Sequence, residues 1–184
     1  MSQMKLVGLC GSLRAASTNR LLMLEAARRF GDAEFTEGNI RFPLFDEDIQ
    51  NGPGIPAEVT DLAEQIKSAD AVIVVTPEYN KGISGALKNA LDWLSRVPGG
   101  VWKDKPVALM SASAGRSGGE RAQNMARLCL TPFRPRLLAG PEVLIGATKD
   151  QWDDQGHLTN DRGVALLDEL MADLRHEAER TRAG

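Results

Sequence analysis

Short apolar runs recur along the chain at residues 6–10 (LVGLC), 71–75 (AVIVV), 107–110 (VALM) and 143–145 (VLI), each bounded by Gly, Pro, Ser or Thr. Continuous apolar runs of this length predict strands buried on both faces, as parallel sheets require. A weaker strand is expected over 34–36. Residues 136–138 read as the start of the last strand, before Pro141 interrupts it. Between these runs the apolar positions switch to three-four spacing. Leu21, Leu22, Leu24 and Ala27 follow the N-cap types Ser17, Thr18 and Asn19. Val59, Leu62, Ala63 and Ile66 follow Pro56, and Ala86, Leu87, Ala90, Leu91 and Leu94 follow Ser84. Met125, Leu128 and Cys129 form a shorter stripe, and Val164, Leu167, Met171 and Leu174 mark a final helix. Strand and helix alternate throughout, which predicts an α/β fold: a five-stranded parallel sheet with helices on both faces and right-handed crossovers. No repeat or linker divides it, so one domain is expected over residues 1–184.

In such a sheet, ligands bind beyond the carboxyl ends of the strands, where the strand order reverses. The loops after the first, third and fourth strands are therefore the ones to read. The first, Gly11 to Arg20, sets Ser12, Arg14, Ser17, Thr18 and Asn19 at the start of a helix. Hydroxyls, a guanidinium and free backbone N–H groups at a positive helix end are what a terminal phosphate dianion needs. The plainer reading is a capped helix with a solvated arginine. A dinucleotide G-x-G-x-x-G is absent after Gly8 and Gly11. A low-molecular-weight phosphatase loop, Cys-x5-Arg, would need an arginine where Ala16 stands, so Cys10 reads as a packing residue.

The second loop holds Pro77, Glu78, Asn80 and Tyr79, the chain's only tyrosine. These groups suit stacking and hydrogen bonding to an aromatic heterocycle, with Gly82 and Gly85 permitting close approach. The alternative is an elaborate turn with one exposed tyrosine. The third loop, 111–119, is rich in small residues, among them Ser113 and Gly115, which would let main-chain N–H groups reach a ligand.

Composition narrows the class. A net charge of −3 offers no footprint for nucleic acid. No apolar run is long enough to span a membrane, and the N-terminal run is too short for a signal-peptide core. Two cysteines and two histidines provide neither a disulfide framework nor a metal site, and a reduced, cytoplasmic protein is the simple expectation.

The motifs G-S-L-R-x-x-S-x-N, T-P-E-Y-N-x-G-I-S-G-A-L-K-N-A-L-D-W and S-x-G-x-x-G-G, after strands one, three and four, resemble the NADPH-dependent FMN reductase family, in particular its bacterial quinone and chromate reductases. The resemblance runs over about residues 4–175 and is weakest around 31–55 and 150–162. It implies a flavodoxin-like sheet of order 2-1-3-4-5. It also implies bound FMN, NADPH or NADH as electron donor, and a homodimer or homotetramer. The family's phosphate loop matches Ser12, Arg14, Ser17, Thr18 and Asn19; its ring-contacting turn matches Pro77, Glu78, Tyr79 and Asn80; the loop at the far edge of the ring matches Ser113 and Gly115.

The expected activity is ping-pong hydride transfer through the flavin to a small acceptor: a quinone, an azo compound, a metal oxyanion or free flavin. No side chain is expected to act as nucleophile or dedicated base, since the flavin carries the chemistry. Main-chain N–H groups of the third loop would meet the negative charge of the reduced ring. The alternatives are a reductase that releases reduced flavin to a partner oxygenase and a flavodoxin-type electron carrier. True flavodoxins are typically far more acidic than −3, which favours the reductase.

Overall fold

Period-two alternation within the strands builds two cores, one on each face of a single sheet. The computed structural model describes residues 2–183. In chain order these form β1 (Met4–Cys10), α1 (Thr18–Phe30), β2 (Ala33–Glu37), α2 (Glu47–Asn51), α3 (Ala57–Ser68), β3 (Ala71–Thr76) and α4 (Gly85–Leu94). Then follow β4 (Pro106–Ala112), α5 (Glu120–Leu130), β5 (Arg136–Leu137), β6 (Val143–Ile145) and α6 (Asp161–Ala183). Val7, Leu9, Val72, Val74, Val107 and Leu109 point to the side covered by α3, α4 and α5. Their neighbours Leu6, Ile73, Val75, Ala108 and Met110 point to the side covered by α1 and α6. Every residue of β3 and β4 is buried, so the continuous apolar run is the signature of a strand covered twice.

The sheet order is β2-β1-β3-β4-β5, all neighbours parallel, as the alternation and the resemblance lead one to expect. The fifth position is filled in two pieces. Arg136–Leu137 pairs with Pro106 and Val107, and Val143–Ile145 pairs with Met110 to Ala112. After Leu138, whose N–H still donates to Val107 O (2.9 Å), residues 139–142, with a cis Gly140–Pro141 bond, lie outside the ladder, where a proline has no N–H to give. The order reverses between β1 and β3, so the carboxyl ends of β1, β3 and β4 meet at the switch point.

Two helix faces differ from the sequence pattern. In α1 the buried stripe is Leu22, Met23, Ala26 and Phe30, with Leu21, Leu24 and Ala27 only partly covered. In α5 the expected stripe is split: Cys129 packs against the core, but Met125 and Leu128 face outward. Leu128 is 72% exposed and Met125 39%, while Ala122, Gln123, Ala126 and Leu130 face the sheet. Alanines carry little hydropathy signal. Gln123 is buried because its amide donates to Ser111 Oγ (3.0 Å) and to Val143 O (2.8 Å). No helix among the described residues is long and apolar enough to cross a membrane.

Candidate functional site

The first loop is pinned before it begins to turn. Gly11 N–H donates to Val75 O (2.7 Å), and Ser84 Oγ, the N-cap of α4, donates to Gly11 O (2.5 Å). The backbones of β1 and β3 are thereby locked side by side at the switch point. Ser17 caps α1, its Oγ accepting from Asn19 N (3.2 Å) and Arg20 N (3.4 Å). The N-terminus of this 13-residue helix points into the space above the sheet, and its macrodipole favours negative charge there. Arg14 is exposed beside that end, with Ser12 and Ser17 buried below.

Asn19 also has a structural task. Its side-chain amide donates to Ala112 O (2.8 Å) and accepts from Ala112 N (2.9 Å), a closed pair that ties the start of α1 to the end of β4. The pair uses one of the amide's two N–H groups and one lone pair of its oxygen, so it positions the loop while Asn19 still lines the cleft. Cys10 is buried and donates weakly to Ser12 O (3.5 Å); burial pushes its thiol pKa up, which fits the packing role expected of it.

In the second loop Tyr79 and Gly82 exchange both backbone hydrogen bonds at 3.0 Å, with Asn80 (φ 49°) and Lys81 (φ 65°) between them. Two positive φ values define a type I′ turn, and asparagine is among the residues that tolerate it. Asn80 therefore serves the turn and lies outside the cleft that its neighbours line. Glu78 also caps a helix: its Oε2 accepts from Arg121 N (3.1 Å) and Ala122 N (3.4 Å), capping α5 in place of Gly119, which has no side chain to do so. Gly82 and Gly85 also stay outside the cleft. A Cβ at Gly82 would stand 2.8 Å from Met125 Sδ, so close approach there is by the protein itself.

In the third loop Ser113 N–H already donates to Ile145 O (2.9 Å), and Ser113 Oγ to Gly115 O (3.3 Å). The backbone N–H groups of residues 114–117 form no hydrogen bonds among the described residues, so this loop keeps main-chain donors without a protein partner. Gly115 has room for a side chain. The glycine that geometry demands is Gly118, at φ +64° with Leu144 C only 2.6 Å from where a Cβ would stand.

The three loops enclose one open cleft of about 490 Å3. Ser12, Arg14, Ser17, Thr18, Asn19, Pro77, Glu78, Tyr79, Ser113 and Gly115 all line it, every sequence candidate except Asn80. Ala112, Ala114, Ser117 and Thr148 complete the wall. Thr148, buried in the turn after β6, carried no sequence signal, because its segment has neither a motif nor periodicity. One part of the lining carries Arg14 and the hydroxyls of Ser12, Ser17 and Thr18; the rest mixes Pro77, Ala112 and Ala114 with Glu78, Ser113, Ser117 and Thr148, and exposed Tyr79.

Fold and cleft define an α/β protein of the doubly wound class, with an open cleft at its switch point. A profile of the family described as NADPH-dependent FMN reductase matches residues 4–150. An NAD(P)H-dependent FMN reductase of Pseudomonas aeruginosa is 38% identical over 180 residues, covering 97% of each chain. A quinone reductase of Escherichia coli strain K12 is 37% identical over 175 residues, covering 94% of this chain and 92% of its own. Among solved structures, the flavoenzyme NAD(P)H:(acceptor) oxidoreductase FerB of Paracoccus denitrificans superposes with a TM-score of 0.86. It shares 28% identity, with 96% of this chain and 98% of that one covered. This chain belongs to the NADPH-dependent FMN reductase family.

Proposed function

We propose that the chain is an FMN-dependent NAD(P)H oxidoreductase that acts as one cytoplasmic domain and passes electrons, in a ping-pong cycle, to quinones or similar small acceptors. The observation that carries this reading is the polarity of the cleft. Arg14, Ser12, Ser17, Thr18 and the α1 N-terminus gather donors in one part of the lining, and Pro77, Tyr79, Ala112 and Ala114 stand in the rest of it. A phosphate ester on a planar heterocycle matches both parts, and about 490 Å3 falls inside the roughly 300–1,000 Å3 typical of small-molecule sites. The family membership supports the same ligand.

FMN, when bound, supplies the hydride chemistry, taking two electrons from the nicotinamide and yielding them to the acceptor. The protein's part is to bind and orient. Arg14 offers a planar fork to the phosphate oxygens, with the Ser12, Ser17 and Thr18 hydroxyls and the Thr18 N–H around it. Pro77 and Tyr79 bound the ring on the β3 side. Ala114, Gly115 and Ser117 line the opposite wall, and their N–H groups, free of backbone partners, would favour negative charge there. Asn19 and Glu78 hold the three loops at a fixed separation through backbone hydrogen bonds. Exposed Tyr79, Met125 and Leu128 support assembly into dimers or tetramers.

The test is NADH and NADPH oxidation by the purified, flavin-loaded protein with a benzoquinone as acceptor. Turnover with parallel lines in double-reciprocal plots is expected. A yellow protein that oxidises neither nucleotide would leave flavin binding standing and remove the reductase assignment.

A further inference from the structure

Gln123, on α5, is fully buried, and its amide reaches behind the third loop from two directions. Nε2 donates to Ser111 Oγ (3.0 Å) near the end of β4 and to Val143 O (2.8 Å) in β6. Ser111 Oγ in turn donates to Gly118 O (2.6 Å), at the far end of the loop. Chemistry fixes which way the amide points. Val143 O only accepts, and the Ser111 hydroxyl gives its proton to Gly118, so both must face the NH2 group. The other amide atom is left stranded: Gln123 Oε1 is buried with no hydrogen-bond partner among the described residues. An apolar side chain at this place would avoid that desolvation penalty. The fold bears it, which directs attention to what the two N–H groups hold.

They hold one wall of the cleft. The third loop is anchored at three points: Ser113 N–H donates to Ile145 O (2.9 Å), Gly115 O accepts from Ala147 N (3.2 Å), and Gly118 O accepts from Ser111. The first two anchors lie at the end of β6 and just beyond it, and Gln123 grips that strand at Val143. The third runs through Ser111, which Gln123 also grips. One buried side chain therefore backs all three. In a trans peptide the N–H points opposite to the C=O, so fixing Gly115 O against Ala147 fixes the N–H of Arg116 in the reverse direction.

We propose that Gln123, acting through Ser111 and Val143, is a positioning residue that sets the reduction potential of bound FMN. It keeps the unpartnered N–H groups of residues 114–117 in place, so that the reduced, negatively charged ring is held more tightly than the oxidised one. Fixed donors favour developing charge because they need not reorganise when it appears. A loop free to shift would still accommodate a neutral ring but would lose that difference. The proposal rests on the FMN reading above and concerns the potential of the bound flavin, not whether it binds.

The experiment measures the midpoint potential of bound FMN by anaerobic equilibration with a reference dye, in the parent, Gln123→Met and Ser111→Ala. Methionine keeps the length of the side chain and removes both donors. Each variant is expected to reduce the preference for reduced over oxidised FMN by about tenfold, a fall of about 30 mV for a two-electron couple. The double variant should fall no further than the larger single one, because the two residues act in one chain of hydrogen bonds. Glu25→Gln loosens α1 against α6 away from the third loop, and its potential should match the parent's, which separates positioning from general destabilisation. Ser111→Ala deletes only a hydroxyl and carries the test alone if the methionine variant does not fold. A parent-like potential in Ser111→Ala, or affinities for both redox forms that fall together, overturns the proposal and leaves FMN binding standing. A folded parent that takes up no FMN removes the functional reading, and this inference with it.

Discussion

The side-chain amide of Asn19 and the backbone of Ala112 form a closed two-bond pair, 2.8 and 2.9 Å, between residues 93 positions apart. Both partners are buried, so removing the amide strands one N–H and one C=O. Asn19→Ala is therefore expected to lower stability by about 2–4 kcal/mol, the desolvation penalty of two buried backbone groups. FMN affinity should fall with it as the first and third loops separate. Denaturant unfolding with a parallel flavin titration measures both effects. Unchanged stability would mean that the pair is not formed in solution.

Glu78 joins the second loop to the third by capping α5. Glu78→Ala should lower the unfolding free energy by about 1 kcal/mol, the usual worth of a helix cap. Glu78→Gln keeps an acceptor and should recover most of that loss in thermal melts. A direct ring contact through the carboxylate predicts a different pattern, with flavin affinity falling in both variants and stability in neither.

The third loop separates a tolerant glycine from an intolerant one. At Gly115 an added Cβ meets nothing nearer than Ser113 Oγ at 3.8 Å, whereas at Gly118 it meets Leu144 backbone carbon at 2.6 Å with φ at +64°. Gly118→Ala should destabilise by at least about 2 kcal/mol, and Gly115→Ala should leave the melting temperature near that of the parent. The reverse order in a thermal scan would contradict the loop geometry.

Acid stability should depend on Glu25. Burial pushes its carboxyl pKa up, but hydrogen bonds from Arg28 and Arg29 outweigh it and hold the value below the ordinary 4.5. Because the folded value is the lower one, its stabilisation is present above pH 4.5 and lost as the pH falls through the folded pKa. Arg29 also reaches Asp168 of α6 (2.5 Å), so the cluster fastens the two helices of that face. Glu25→Gln should cost about 1–3 kcal/mol near pH 7, and the gap from the parent should close below pH 4.5 in denaturant titrations.

The strands were legible because short apolar runs such as AVIVV, bounded by turn residues, suit a strand covered on both sides, and their order followed from the family resemblance. The site residues were legible as a set, since position after β1, β3 and β4 and donor chemistry agree. Their individual tasks were not. Asn19, Glu78 and Asn80 also serve the fold as a clamp, a helix cap and a turn, uses that composition does not reveal. The covered face of α5 was missed because alanines and a hydrogen-bonded glutamine stand where leucines would signal it. Thr148 reaches the cleft only through the tertiary path of the chain after β6.

Flavin titration of the purified protein, with and without Arg14, tests the central assignment most directly. The parent should take up one FMN per chain, with the yellow absorbance bands and quenched fluorescence of a bound ring. Arg14→Ala should weaken that affinity by about 1.5–3 kcal/mol, the worth of a charge-assisted hydrogen bond, with no change in melting temperature for the flavin-free protein. A folded parent that takes up no FMN, or an Arg14→Ala variant that binds it as tightly as the parent, would contradict the account.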